Sequence, residues 1–193
     1  MKFCGHTIYR SRLSLSDYRT STSNFLSLPE EFMKQYIIRT VQETDNPLLA
    51  KVIRQVFEEH DSPKCGTVYS DPTTDQLFQL FQQERSILWV AEMDDEVMGC
   101  CGIYPTDGLP DLMAELVKFY ISRSARGHGV GKMLMEKSMQ SAKDFGYKAI
   151  YIESLPQFSK AVSIYEKQGF VHLDAPLGNS GHSSCNIWMK KDL

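Results

Sequence analysis

Arg126-Gly127-His128-Gly129-Val130-Gly131 sets three alternate glycines and a cation between an apolar run, Ala114 to Ile121 (AELVKFYI), and an amphipathic run that begins at Lys132. Glycines let successive backbone N–H groups converge on one point without Cβ obstruction. A following helix adds its unpaired first-turn N–H groups and the positive end of its dipole. Such a junction suits an anion, and a phosphate or pyrophosphate is the natural guest. The alternative is a plain tight turn. The stretch is neither a Rossmann nor a Walker signature, because the first apolar strand lies far from the N-terminus and no Gly-Lys-Ser/Thr triplet follows. His128, inside the turn, reads as a surface or phosphate-side residue. His182 and Cys185 lie in a small, polar stretch, Pro176 to Cys185 (PLGNSGHSSC), whose composition is that of a loop shaping a pocket. A lone Cys and His without two further ligands do not make a zinc site, so no metal is expected.

The elements that must hold these residues follow from periodicity. Tyr36 to Val41 is short and β-branched, hence a strand. Asp45-Asn46-Pro47 then opens a helix, with Asn46 as cap and an apolar face of Leu48, Leu49, Val52, Ile53, Val56 and Phe57. Asp71-Pro72 opens a second helix that buries Leu77, Phe78, Leu80 and Phe81 and ends at Glu84-Arg85. Ile87 to Glu92 and Val97 to Tyr104 form an antiparallel hairpin, and Gly99 and Gly102 on its second strand predict that something packs closely there. Cys100 and Cys101 are core fillers in that strand. The strand Ala114 to Ile121 precedes the glycine turn; the helix after it carries Met133, Leu134, Met139, Ala142 and Phe145 and stops at Gly146. Lys148 to Glu153 is a strand, Ser159 to Lys167 a short helix closed by Gly169, and Phe170 to Leu173 and Asn186 to Lys190 are the last strands. Residues 1–35 show no sustained period and are expected to be a loose extension; Met33, just before the first strand, is an alternative start.

Composition narrows the function classes. With 193 residues, 42% hydrophobic and 23% charged, the chain suits one domain with a sizeable core. A net charge of −3 leaves no electrostatic footprint for nucleic acid or an anionic membrane. The five cysteines have no CxxC spacing and are odd in number, which reads as a reducing compartment. No apolar run approaches the roughly 20 residues that span a bilayer, and no signal-peptide apolar segment stands at the N-terminus, so a cytoplasmic location is expected.

Over residues 36–193 the element order resembles the GNAT superfamily of acetyl-CoA-dependent N-acetyltransferases. Its defining pattern of Arg or Gln, two residues, Gly, one residue, and Gly or Ala is met by Arg126, Gly129 and Gly131. Its second landmark is met by Ala161, Tyr165, Gly169 and Phe170. The segments GLPDLMAELVKFYI, YIESLPQFSKAVSIYEKQGF and PLGNSGHSSCNIWMKKDL resemble a bacterial subgroup that includes small amino-acid N-acetyltransferases. The resemblance implies an α+β domain with a mixed sheet of about seven strands, about four helices, and central strands splayed for the cofactor. It implies that the backbone N–H groups of Gly127, His128, Gly129, Val130, Gly131 and Lys132 hold the pyrophosphate, with Arg126 and Lys132 adding charge. The edge of Phe119, Tyr120 and Ile121 would bond the pantetheine arm as another strand would. At Phe158 the chain departs from the family, many of whose members place an Asn there.

Acetyl transfer from a thioester to an amine needs a neutral amine, support for the developing oxyanion and a proton for the departing thiolate. By resemblance Tyr165 is the proton donor: a phenol of intrinsic pKa about 10 stays protonated at neutral pH. Its alternative role is that of an amphipathic core residue. By resemblance Glu115, eleven residues before Arg126 at the strand position where some members of the family keep a catalytic carboxylate, is the candidate base, and Glu153 is the alternative base; the other role for either is a carboxylate on a solvated strand face or one that binds the substrate ammonium. His182 is assigned to the acceptor pocket, and direct attack by the amine needs no acyl-cysteine. The expected activity is acetyl transfer from acetyl-CoA to the primary amine of a small molecule, an amino acid first. Partners are then that small amine, with no nucleic acid and no membrane, and a homodimer is compatible with the reading. The rivals are a protein N-terminal or lysine acetyltransferase and a non-catalytic acyl-CoA sensor.

Overall fold

The computed structural model describes residues 7–9 and 36–193. Strands β1 (Thr7–Tyr9), β2 (Tyr36–Thr40), β3 (Ile87–Met93), β4 (Glu96–Tyr104), β5 (Met113–Ile121), β6 (Ala149–Ser154), β7 (Val171–Leu173) and β8 (Ile187–Asp192) form one sheet. Their order is β1-β2-β3-β4-β5-β6-β8-β7. All neighbours run antiparallel except β5 and β6. Among the described residues four α-helices complete the fold: α1 (Asn46–Glu59), α2 (Leu77–Leu80), α3 (Val130–Asp144) and α4 (Ser159–Lys167). The seven expected strands are β2 to β8. Three residues within the expected N-terminal extension add β1, which pairs with β2 from Thr7↔Ile38 to Tyr9↔Tyr36; the rest of that extension and the alternative start at Met33 lie outside the described residues.

Alternation sorts the strand residues onto two cores. Trp89, Ala91 and Met93 of β3 join the cluster that holds Val130, Leu134 and Met135 of α3 and Val162 and Tyr165 of α4. Leu88 and Val90 join the cluster of Leu49, Ile53 and Phe57 of α1 and Leu77 of α2. The sheet is therefore covered on both faces, which is why its central strands read as continuous apolar runs. Cys101 and Cys100 fall on opposite faces, each fully buried. The close approach that Gly99 and Gly102 predict is real: an added Cβ would lie 2.4 Å from the Tyr120 carbonyl oxygen at Gly99, and 2.8 Å from the Phe81 ring at Gly102.

Two local expectations are corrected. Asn46 does not cap α1 but is its first residue, preceded by the 3-10 turn Glu43–Asp45. Asp45 Oδ2 accepts the Gln42 N–H at 2.7 Å and closes that turn, which frees the Asn46 amide for another task. Asn46 Oδ1 accepts from Phe78 N–H and its Nδ2 donates to Gln79 Oε1, both at 2.8 Å, tying α1 to α2. The second helix, expected to run to Arg85, is a 3-10 turn, Pro72–Asp75, and the single turn α2. Of its four apolar residues only Leu77 and Phe81 are buried, and one turn seats both.

β5 decides the geometry of the centre. It pairs with β6 only at Met113↔Ala149, Ala114↔Ile150 and Glu115↔Tyr151. Beyond that point β5 is bonded to β4 alone and β6 to β8 alone, so the two strands part. The β4–β5 ladder also shifts: Cys100 faces Tyr120 but Gly102 faces Val117, which leaves one extra residue on β5. Lys118 lies at that bulge with φ +53, a left-handed conformation uncommon for a long side chain.

Candidate active site

Where β5 and β6 part, a cleft of about 1050 Å³ passes through the sheet, lined by Phe57 and His182 from one face and by Met135 and Tyr165 from the other. Phe119, Tyr120 and Ile121 form its β5 wall, and Arg126, Gly127, Gly129, Gly131 and Lys132 line one end. Gly127 and Gly129 have φ +82 and +81, and an added Cβ at either meets nothing within 4 Å. Glycine is required there by the left-handed backbone and not by crowding. Gly129 directly precedes α3, so the unpaired N–H groups of that helix emerge beside the turn.

The side chains of the turn are placed less uniformly than their spacing suggests. Arg126 Nε donates to the Ile121 carbonyl at 3.0 Å and its guanidinium pairs with Glu59 at 2.7 Å, which brackets β5 and the end of α1. Lys132 is exposed, 3.8 Å from Glu136. Val130 is buried in the core, and His128 is exposed and outside the cleft lining. Only the backbone of those two residues is available for the role expected of them.

Glu115 is the last β5 residue paired with β6 and is 4% exposed. Its Oε2 accepts a short hydrogen bond from Thr106 Oγ1, at the start of the β4–β5 connection. Burial pushes its carboxyl up to about 7; the Thr106 bond opposes that shift, the nearby Glu153 carboxylate adds to it, and Lys118 opposes it. A carboxyl poised there exchanges a proton near neutral pH. Tyr165, 5% exposed, is set on α4 with its ring against Phe119 and Phe170. Its hydroxyl has no hydrogen-bond partner among the described residues, and burial raises its pKa further, so it keeps its proton. The two sequence-predicted chemical groups thus face one cleft.

Glu153 also lines the cleft, but both of its oxygens are engaged: Tyr151 donates to Oε1 at 2.8 Å and Ser180 to Oε2 at 2.6 Å. These bonds fasten the loop after β7. Leu177 N–H donates to Tyr151 Oη and His182 N–H to Ser180 Oγ, both at 3.1 Å. The loop is further tied by Asn179 N–H to the Asp107 carbonyl at 2.7 Å and by Ser184 N–H to the Gly66 carbonyl at 3.1 Å. His182 Nε2 lies 3.3 Å from Asp71 Oδ2, which also receives Lys118 Nζ at 3.1 Å. Phe158, at the position where the family often has Asn, packs its ring against Phe57, His60 and Tyr120 at 5.3 to 6.3 Å. Among the described residues no group of three or more His, Cys, Asp or Glu could hold a metal ion, and no helix is long and apolar enough to cross a membrane.

Thr106, Tyr151, Ser180, Asp71 and Lys118 carry no motif and escaped the sequence reading. Lys118 alone left a signal, as the single cation inside an apolar strand.

A two-faced cleft between splayed parallel strands, with a glycine cradle at a helix start, defines an acyltransferase fold, and the chain belongs to the Acetyltransferase (GNAT) family, whose sequence profile matches residues 53–170. It is 36% identical over 158 residues to the uncharacterized N-acetyltransferase YjgM of Escherichia coli, covering 81% of this chain and 95% of that protein. Among solved structures, a GNAT acetyltransferase of Staphylococcus aureus superposes with a TM-score of 0.72 at 18% identity, covering 82% of this chain and 99% of that one. The PaiA N-acetyltransferase of Thermoplasma acidophilum, solved with coenzyme A, gives 0.64 at 18% identity, with coverage of 82% and 99%. The two structural likenesses concern the fold; the family makes this chain an N-acetyltransferase.

Proposed function

We propose that this enzyme acetylates the primary amine of a small molecule, taking the acetyl group from acetyl-CoA by direct attack in a ternary complex. The observation that carries the reading is the meeting of a buried carboxyl, Glu115, and a protonated phenol, Tyr165, on one cleft that is reached from both faces of the sheet.

The residues present fit acetyl-CoA. The open turn at Gly127 and Gly129 suits a pyrophosphate, and the β5 edge at Phe119, Tyr120 and Ile121, unpaired on its β6 side, offers backbone groups to pantetheine amides. When bound, acetyl-CoA supplies the activated acetyl thioester. The chain does the rest. Glu115 Oε1 or Oε2 takes the proton from the acceptor ammonium, directly or through one water, and Thr106 fixes the carboxyl for that task. Tyr165 Oη supplies a proton to the departing sulfur, and the apolar walls exclude bulk water.

The loop 174–186 supports a small acceptor. Its bonds to β6, to the β4–β5 connection and to residues 66 and 71 cover the acceptor side, where a protein substrate would need an open groove. Glu153, holding that loop, is read as a support of the acceptor pocket and not as the base.

The test is release of free thiol from acetyl-CoA against free amino acids, amino sugars, polyamines and short peptides. Turnover confined to small amines is expected. Preference for peptides would assign the enzyme to proteins, and acetyl-CoA binding without turnover on any row would make it a sensor.

A further inference from the structure

The β5 bulge places a buried cation on the acceptor side of the cleft. On β5, Leu116 and Phe119 belong to the α3 face, and Val117 and Tyr120 to the α1 face. The extra residue is Lys118, and it turns toward the α1 face, where its ammonium meets Asp71. Lys118 is 5% exposed and lines the same cleft as Glu115 and His182. An ammonium carries three N–H donors. Among the described residues Asp71 Oδ2, at 3.1 Å, accepts one of them, and that same oxygen is also within 3.3 Å of His182. Two donors of a buried cation are left over, and a buried charge with donors to spare is costly unless a ligand or water takes them. The left-handed backbone at Lys118 adds its own strain, which is the kind of local cost that functional positions retain.

We infer that Lys118, held by Asp71 and flanked by His182, binds a carboxylate of the acceptor, so that the acceptor is an amino acid and not a simple amine. This rests on the reading of the enzyme as a small-amine acetyltransferase and names its substrate class. The charge pattern of the pocket supports it. Glu115 and Lys118 lie three residues apart on one strand and feel each other electrostatically. An amino acid presents both complements on one small frame: an ammonium for the carboxyl of Glu115 and a carboxylate for the ammonium of Lys118. A simple amine would leave the donors of Lys118 unmet, and in sites built to bond a polar group the loss of that group is discriminated strongly. Asp71 is then a positioning residue, since it touches Lys118 and not the acceptor.

The experiment compares kcat/KM for thiol release on three matched panels: free L-amino acids, their α-amides and the amines left by removing the carboxylate. Wild-type enzyme is expected to prefer the best amino acid over its amide and amine by at least about a hundredfold. Lys118→Met should collapse that preference chiefly through KM for the amino acid, leaving KM for acetyl-CoA unchanged. Because Lys118→Met strands Asp71, the double variant Asp71→Asn/Lys118→Met, which removes both charges, is measured alongside, with its melting temperature. Calorimetric titration of the preferred amino acid's α-hydroxy analogue, which keeps the carboxylate but cannot be acetylated as an amine, should give binding to wild type that both variants lose. Equal turnover of amino acid, amide and amine by wild type would overturn the inference while leaving the small-amine reading standing. A preference that survives both variants would overturn the assignment to Lys118. No thiol release on any panel, with acetyl-CoA still bound, would overturn the small-amine reading and this inference with it.

Discussion

At the scale of the residue, the proposed chemistry rests on how burial treats two oxygen acids in one cleft. Glu115 has its carboxyl raised from 4.5 to about 7 by desolvation first, against the bond from Thr106 and the charge of Lys118 and with the charge of Glu153. As a base it works only when ionised, so kcat/KM should rise with pH and level off above about 7. Glu115→Gln should remove that acidic limb and lower kcat by about 10²- to 10⁴-fold. The same shift has a stability sign. The folded state holds the proton more tightly than the unfolded state, so this contribution is full below about 4.5 and fades as pH rises through 7. It amounts to about 3 kcal/mol, and urea titrations at pH 4.5 and 8 should find it absent in Glu115→Gln. Burial moves the Tyr165 pKa upward, which keeps the phenol protonated; Tyr165→Phe should slow turnover without loosening acetyl-CoA.

At the scale of the element, the proposed function divides the work of binding between a turn and a loop. Gly129 caps α3 in a left-handed conformation with open space around it. Gly129→Ala should therefore cost roughly 1–2 kcal/mol of backbone strain without a clash, and should weaken acetyl-CoA binding in calorimetry while leaving the acceptor KM alone. In the proposed function the loop 174–186 serves the other substrate. Ser180 donates to Glu153 and accepts from His182 N–H, so it joins the loop to β6. Ser180→Ala leaves a partly buried carboxylate oxygen without its donor, a loss of roughly 1–3 kcal/mol. Steady-state kinetics should show the acceptor KM raised about tenfold and the acetyl-CoA KM unchanged; equal rises in both would place the loop over the cofactor instead.

At the scale of the whole molecule, the sheet is one plate with helices on both faces and, among the described strands, a single parallel junction, and the cleft exists because that junction opens. Much of this was legible in the chain. The glycine turn, the strands and the ends of α4 follow from local rules, because φ preferences, caps and hydrophobic period act over a few residues; the Ala161-Tyr165-Gly169-Phe170 spacing was legible through the resemblance to the family. Asn46 and the segment after Asp71 misled those rules, since the long-range bonds of Asn46 to Phe78 and Gln79 and the seating of only two apolar side chains outweighed local propensity. By itself, then, the sequence determined the strands and the glycine turn, and through its resemblance to the family the α+β class and Glu115 and Tyr165 as candidates. Tertiary structure alone decided that Glu153 is tied to Ser180, that Arg126 leans on Glu59, and that Lys118 meets an aspartate 47 residues away. Those outcomes depend on strand register, on one bulge and on which loop reaches across a cleft. Such features arise from pairings between distant segments, and no window along the chain contains both partners.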